Sequence, residues 1–347
     1  MPFTIIPTVA DIRWGRSMCQ RMDQLKHPIR DAGGNPWIAH RHGGGGVVGS
    51  KEADWISTVG GGTFANFAQY LNTVKTAASD THFDCIALGT RQAILSPPQF
   101  RGDQAFFPEC VLDVKRAIMT IKTRAAEMGL DPNKGFLMGE SHGGWLTLMT
   151  MCTAPLVGNG GSKTEQLRRY GAASFDSTVR GYISQSGMID VRRTANVDQI
   201  HFTNLQAWFG TRADIANETG TAPNNTGVEW NAVTADLKAA TSPLAYIENN
   251  DTRYFRPLYI TGAIVGNHVH PYGDPNGSGS GDFGPSVHDS KQATDLYAAM
   301  QAKGLNATLN LFNRGDFDIF GSPTATALSL QLYTWLQGIL AGSVLGT

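Results

Sequence analysis

No apolar run in this chain is long enough to span a bilayer, so no transmembrane helix is expected. Charge is sparse: 16% of residues are charged, and the formal net charge is -1 at pH 7. Without a basic excess, neither nucleic acid nor an anionic membrane surface is an expected partner. Met1 to Arg16 lack a basic start followed by an apolar core, so no signal peptide is read there. Cysteine is scarce. The four cysteines, Cys19, Cys85, Cys110 and Cys152, show no metal-like spacing. Two of them lie in apolar patterns, as buried free thiols of a reducing compartment would, and a cytoplasmic location is expected. No internal repeat or linker divides the chain. At 347 residues and 41% hydrophobic, it is read as one large α/β domain over 1–347.

Glycine, by contrast, is abundant, with 40 residues concentrated in turns. The most informative stretch is Gly135-Phe136-Leu137-Met138-Gly139-Glu140-Ser141-His142-Gly143-Gly144-Trp145. An apolar run ends at Gly139, a serine follows between glycines, and an apolar helical pattern begins at Trp145. The order is strand, sharp turn, helix, with Gly-x-Ser-x-Gly at the turn. Such a turn strains the serine backbone, and only small neighbours fit beside it. It lifts the Ser141 hydroxyl above the sheet. It also aims the following amides and a helix N-terminus at a developing negative oxygen.

Elsewhere the pattern alternates. Residues 1–35 read as mixed and polar, and Trp37–His40 as a buried strand. A glycine run follows in Arg41-His42-Gly43-Gly44-Gly45-Gly46, where backbone N–H groups can approach a ligand closely. No Gly-Lys-Ser/Thr follows it, which argues against a phosphate loop. Helices are expected over 63–78, over one continuous run from Val111 to Met128, and over 287–303 and 324–341. Strands are expected at 83–88, 135–139, 179–185, 257–262 and 307–312. This alternation implies a mostly parallel sheet covered on both faces. Residues 188–250 break it, and 188–240 reads as an inserted, cap-like segment.

These motifs together resemble the α/β-hydrolase superfamily, in its esterase and prolyl-oligopeptidase-like branch. His42-Gly43-Gly44-Gly45 resembles the oxyanion loop, and Gly139–Gly143 the nucleophile elbow. Ser242-Pro243-Leu244 and 257–262 resemble the approach to the acid loop. The resemblance implies an α/β-hydrolase fold and a serine hydrolase acting on carboxylic esters or short peptides through an acyl-enzyme on Ser141. Backbone N–H groups of Gly44, Gly45 and His142 would bind the oxyanion. Water would release the acyl group, so no cofactor is expected. The expected partner is a small-molecule ester or peptide.

The triad departs from the pattern. The family places its histidine after the last strand, yet none of the nine histidines lies beyond His288. Asp318 stands where the base is expected, and Asn267 near the acid position. An exposed aspartate is a weak base, with a pKa of about 3.9. Three arrangements follow. His268 or His270, less readily His288, reaches Ser141 with Asp318 as its orienter. Alternatively, Asp318 acts as base through water. In the third, the site is silent and the fold serves binding or structure. His268, His270, Asp274, Asp282 and His288 also form a possible metal-ligand set, but a solvated glycine-rich loop is the preferred reading, and no metal is expected. His42 is expected to brace its loop, Trp145 to lie in the core, and Asp113 to be a helix cap or surface charge.

Overall fold

The computed structural model describes residues 3–44, 49–57, 63–92, 105, 107–153, 177–185, 187–192, 239–249, 256, 258–263, 290–312 and 323–342. Its centre is an eight-stranded sheet. The strands are β2 (Val9–Arg13), β3 (Arg21–Leu25), β4 (Asn35–Arg41), β6 (Asp84–Leu88), β7 (Leu130–Glu140), β8 (Gly181–Gln185), β9 (Leu258–Ala263) and β10 (Ala307–Phe312). They lie in the order β10-β9-β8-β7-β4-β6-β3-β2. From β6 to β10 across the sheet the neighbours are parallel, whereas β3 pairs antiparallel with β6 and with β2. Short β1 (Phe3–Thr4) and β5 (Ile56–Ser57) pair separately. This is the mostly parallel α/β architecture expected.

Helices cover both faces. The described helices are α1 (Thr63–Thr73), α2 (Glu109–Thr123), α3 (Ala125–Met128), α4 (His142–Thr153), α5 (Pro243–Asn249), α6 (Ser290–Ala302) and α7 (Pro323–Leu340). Alternate residues of one strand feed opposite cores, as the period of two requires. Ile38, Phe136, Met138 and Ile183 join Phe64, Phe67 and Trp335 from α1 and α7. Trp37, Ala39 and Leu137 join Val114, Ile118, Trp145 and Leu296 from α2, α4 and α6. Every residue of α4 is buried, so this helix is the axle of the second core. Burial of each large apolar side chain there contributes about 1.5–3 kcal/mol.

Several details correct the sequence reading. Residues 1–35 contain β2 and β3. In β3 two polar residues are buried and paired rather than exposed: Asp23 accepts from Lys51 Nζ at 2.8 Å, and Gln24 donates to Asp84 at 2.8 Å. The first helix stops at Thr73, which leaves Val74 exposed instead of on its apolar face. The long helix breaks at Arg124 into α2 and α3 before Gly129 ends it at φ +75°. Asp131-Pro132-Asn133 follow as part of β7. The four cysteines are free, and burial pushes the Cys110 thiol up to about 12.

Most of the inserted segment, 193–238, lies outside the described residues. Its two flanks are adjacent, because Leu244 N donates to Ile189 O at 2.9 Å and Val191 N to Ser242 Oγ at 2.8 Å. No described helix is long and apolar enough to cross a membrane.

Candidate active site

The register of three parallel strands builds the site. Arg41 of β4 pairs with Gly139 of β7, and Glu140 of β7 with Gln185 of β8. The segments leaving β4, β7 and β8 therefore emerge side by side at the carboxyl ends of the strands, where open parallel sheets place their ligand sites.

Ser141 is the single residue between β7 and α4, and its φ is +53°. A non-glycine residue there is uncommon and carries strain of order 1–3 kcal/mol. Two backbone hydrogen bonds hold it: Ser141 N donates to Gln185 O, and Trp145 N donates to Ser141 O, both at 2.9 Å. The surrounding glycines are set by contact. A Cβ on Gly143 would lie 2.7 Å from the carbonyl carbon of Arg41 and from the carbonyl oxygen of His42. A Cβ on Gly43 would meet the Ser141 Cβ at 3.1 Å. Helix α4 is fixed by Trp145, fully buried, whose Nε1 donates to Thr241 O at 2.8 Å.

The segment after β4 is fastened at both described ends. At its start, the fully buried Arg41 donates from Nε to Thr90 Oγ1 at 2.7 Å and from Nη1 to His42 O at 2.9 Å. Burial lowers the Arg41 pKa to about 10, against the raising charge of Asp54, so the guanidinium is protonated at neutral pH. His42 Nδ1 lies 2.8 Å from Gly43 O. A carbonyl only accepts, so Nδ1 carries the proton. Burial first, and the Arg41 charge second, hold His42 well below the usual imidazole range, so it is neutral. At the far end, Lys51 Nζ binds Asp23, Glu52 and Asp11. Beneath the loop His40 Nδ1 contacts Asp54 Oδ2 at 3.1 Å, and its ring stacks on Phe64.

Of the residues singled out from sequence, Ser141, His142, Gly43 and Gly44 come together here. Gly45, Asn267, His268, His270, His288 and Asp318 lie outside the described residues. His42 braces its own loop, as expected. The His142 imidazole is buried against Trp145, with ring centroids 5.3 Å apart. Burial and the Arg41 charge hold its pKa well below the usual value, which suits a backbone role better than a basic one. Among the described residues no group of His, Cys, Asp and Glu could hold a metal ion.

Two residues here escaped the sequence reading. Asp113 is fully buried rather than a cap or surface charge. It accepts from Gln20 Nε2 at 2.9 Å and Arg91 Nη2 at 2.8 Å, and so ties the segment after β6 to α2. Arg41 carried one overlooked signal, a charge at the end of an otherwise apolar buried strand, directly before the glycine run.

Comparison with known proteins agrees with this fold. The family model BD-FAE matches residues 92–256, just under half of the chain. Among solved structures, an inhibited esterase B from Lactobacillus rhamnosis superposes with a TM-score of 0.60 at 12% identity, covering 98% of this chain and 90% of that one. A truncated carbohydrate esterase from gut microbiota gives 0.56 at 16% identity, covering 96% of both chains. A bacterial heroin esterase gives 0.56 at 16% identity, covering 96% of this chain and 83% of the other. No curated protein sequence matches. The chain has the α/β-hydrolase fold.

Proposed function

We propose that this chain is a serine hydrolase of carboxylic esters, with Ser141 as nucleophile. The observation that carries the reading is the left-handed backbone of Ser141 at the strand-to-helix turn, with Gly43 packed against its side chain. That geometry presents the hydroxyl at the carboxyl end of the sheet, beside a glycine loop and a helix N-terminus. Three structural neighbours named as esterases favour an ester over a peptide substrate.

The chemistry proceeds in two halves. Ser141 Oγ attacks the ester carbonyl carbon as its proton passes to a base. The carbonyl oxygen becomes an oxyanion, which accepts from the N–H groups of Gly44, Gly45 and His142. Collapse expels the alcohol, which takes the proton, and leaves an acyl-serine. Water then attacks the acyl carbon by the same route and frees Ser141. The base is His268 or His270, oriented by Asp318. A triad is defined by geometry, so this exchange of loops is chemically sound.

A second reading, a silent hydrolase fold used for binding, is favoured by the absence of any histidine after His288. The substitutions Ser141→Ala, His268→Ala, His270→Ala and Asp318→Ala separate the two, with short-chain p-nitrophenyl esters as substrates. The proposal expects hydrolysis in the native protein, its loss in Ser141→Ala, and a large loss in one histidine variant and in Asp318→Ala. Hydrolysis equal in native protein and Ser141→Ala rejects it.

A further inference from the structure

We propose that Arg41 is a positioning residue of this site: its guanidinium holds the His42–Gly43 peptide, and so fixes the base from which the next peptide presents the Gly44 N–H to the oxyanion. The inference rests on the ester-hydrolase reading above. A trans peptide is planar, with its C=O and N–H pointing in opposite directions. Fixing the His42 carbonyl from Arg41 Nη1 therefore fixes the direction of the Gly43 N–H. The next peptide is fixed by His42, whose Nδ1–H donates to Gly43 O and so sets the direction of the Gly44 N–H. Two successive peptide planes are thus pinned by two successive side chains. Glycines offer no side chain to restrain the loop, and Gly44 is exposed.

The guanidinium is itself held. Thr90, two residues beyond β6, accepts from Nε, so the loop after β4 is referenced to the neighbouring strand. Stability alone gives little reason for this placement. Among the described residues no carboxylate pairs directly with Arg41, and Nη2 has no hydrogen-bond partner. Removing such a cation from water is costly. A fixed positive charge in a dry place beside the site also favours the negative charge that forms there. The Arg41 carbonyl abuts Gly143, so the same residue contacts the first turn of α4.

The test compares Arg41→Met, Arg41→Lys and Thr90→Val in the full chain, using p-nitrophenyl acetate for kcat and KM. A fluorophosphonate titration counts competent serines in each protein. In Arg41→Met kcat falls about ten- to hundredfold, while KM stays within about twofold. Arg41→Lys recovers part of the loss, because one ammonium reaches one of the two acceptors. Thr90→Val, which keeps the charge and removes only an acceptor, loses about three- to tenfold. A purely structural role would instead lower the titratable fraction and leave kcat per competent serine unchanged, and that result overturns the proposal. If Arg41→Met does not fold, Thr90→Val decides, and a native kcat there overturns it equally. A native protein that neither hydrolyses the ester nor takes the label refutes the underlying reading instead.

Discussion

Gly143→Ala is the sharpest single perturbation of this site. A Cβ added there stands 2.7 Å from two backbone atoms, the Arg41 carbonyl carbon and the His42 carbonyl oxygen, and closer still to the Arg41 carbonyl oxygen. Ordinary contacts begin at about 3.4–3.5 Å, so backbone must separate by about 1.5 Å at the Arg41 carbonyl oxygen. No flexible side chain end can absorb it. Either the first turn of α4 lifts, or the end of β4 retreats with its glycine loop. Overpacking of this kind costs about 1–3 kcal/mol. The effect on rate should be larger, because a shift of about 1 Å in catalytic geometry can cost about a hundredfold. Urea denaturation reads the first quantity, and ester hydrolysis by folded protein reads the second. Gly33→Ala is the control, because no atom lies within 4 Å of its added Cβ. It should leave rate unaltered and stability the same or slightly higher. A Gly143→Ala protein with native stability and native rate would refute the close approach of the two segments.

Three further outcomes are expected. His42 and His142 are buried and neutral, with pKa values held below the unfolded imidazole value. The unfolded chain therefore binds more protons in acid. Their contribution is fully present above about pH 6.5 and is lost as pH falls below it, at up to about 1.4 kcal/mol per unit for each histidine. Urea midpoints between pH 7.5 and 5 should fall accordingly, and a flat profile contradicts this. Trp145→Phe removes the indole donor to the Thr241 carbonyl and leaves a cavity in the core beside α4, for a loss of about 1–3 kcal/mol in thermal or urea unfolding. Finally, Asp318→His distinguishes the triad arrangements. It reduces ester hydrolysis if Asp318 orients His268 or His270. If the native site is silent, it raises hydrolysis toward the lower end of the roughly 10²–10⁴-fold range of general-base assistance.

What the sequence made legible follows from periodicity and contrast. The glycine-bounded serine between an apolar run and a helical pattern marks β7, Ser141 and α4 without further help. Strands β4, β6, β8, β9 and β10 are short apolar runs, and a parallel sheet buries both faces of such runs. Strands β2 and β3 lacked that signature for a physical reason. Met22 is their fully buried apolar residue, whereas Asp23 and Gln24 are buried through partners far along the chain, Lys51 and Asp84. Arg41 and Asp113 were opaque in the same way. Each is fully buried because a distant residue, Thr90 or Arg91, meets it in space. Sequence pattern reports apolar burial. It does not report polar burial compensated at long range, and much of the support beneath this site is of that kind.

Intact-mass analysis after fluorophosphonate treatment decides whether Ser141 is an activated nucleophile. One covalent adduct per native chain is expected, mapped to the peptide containing Ser141, and none in Ser141→Ala folded to the same content of secondary structure. A native chain that stays unmodified across pH 6 to 9, or an adduct that persists in Ser141→Ala, would contradict that role.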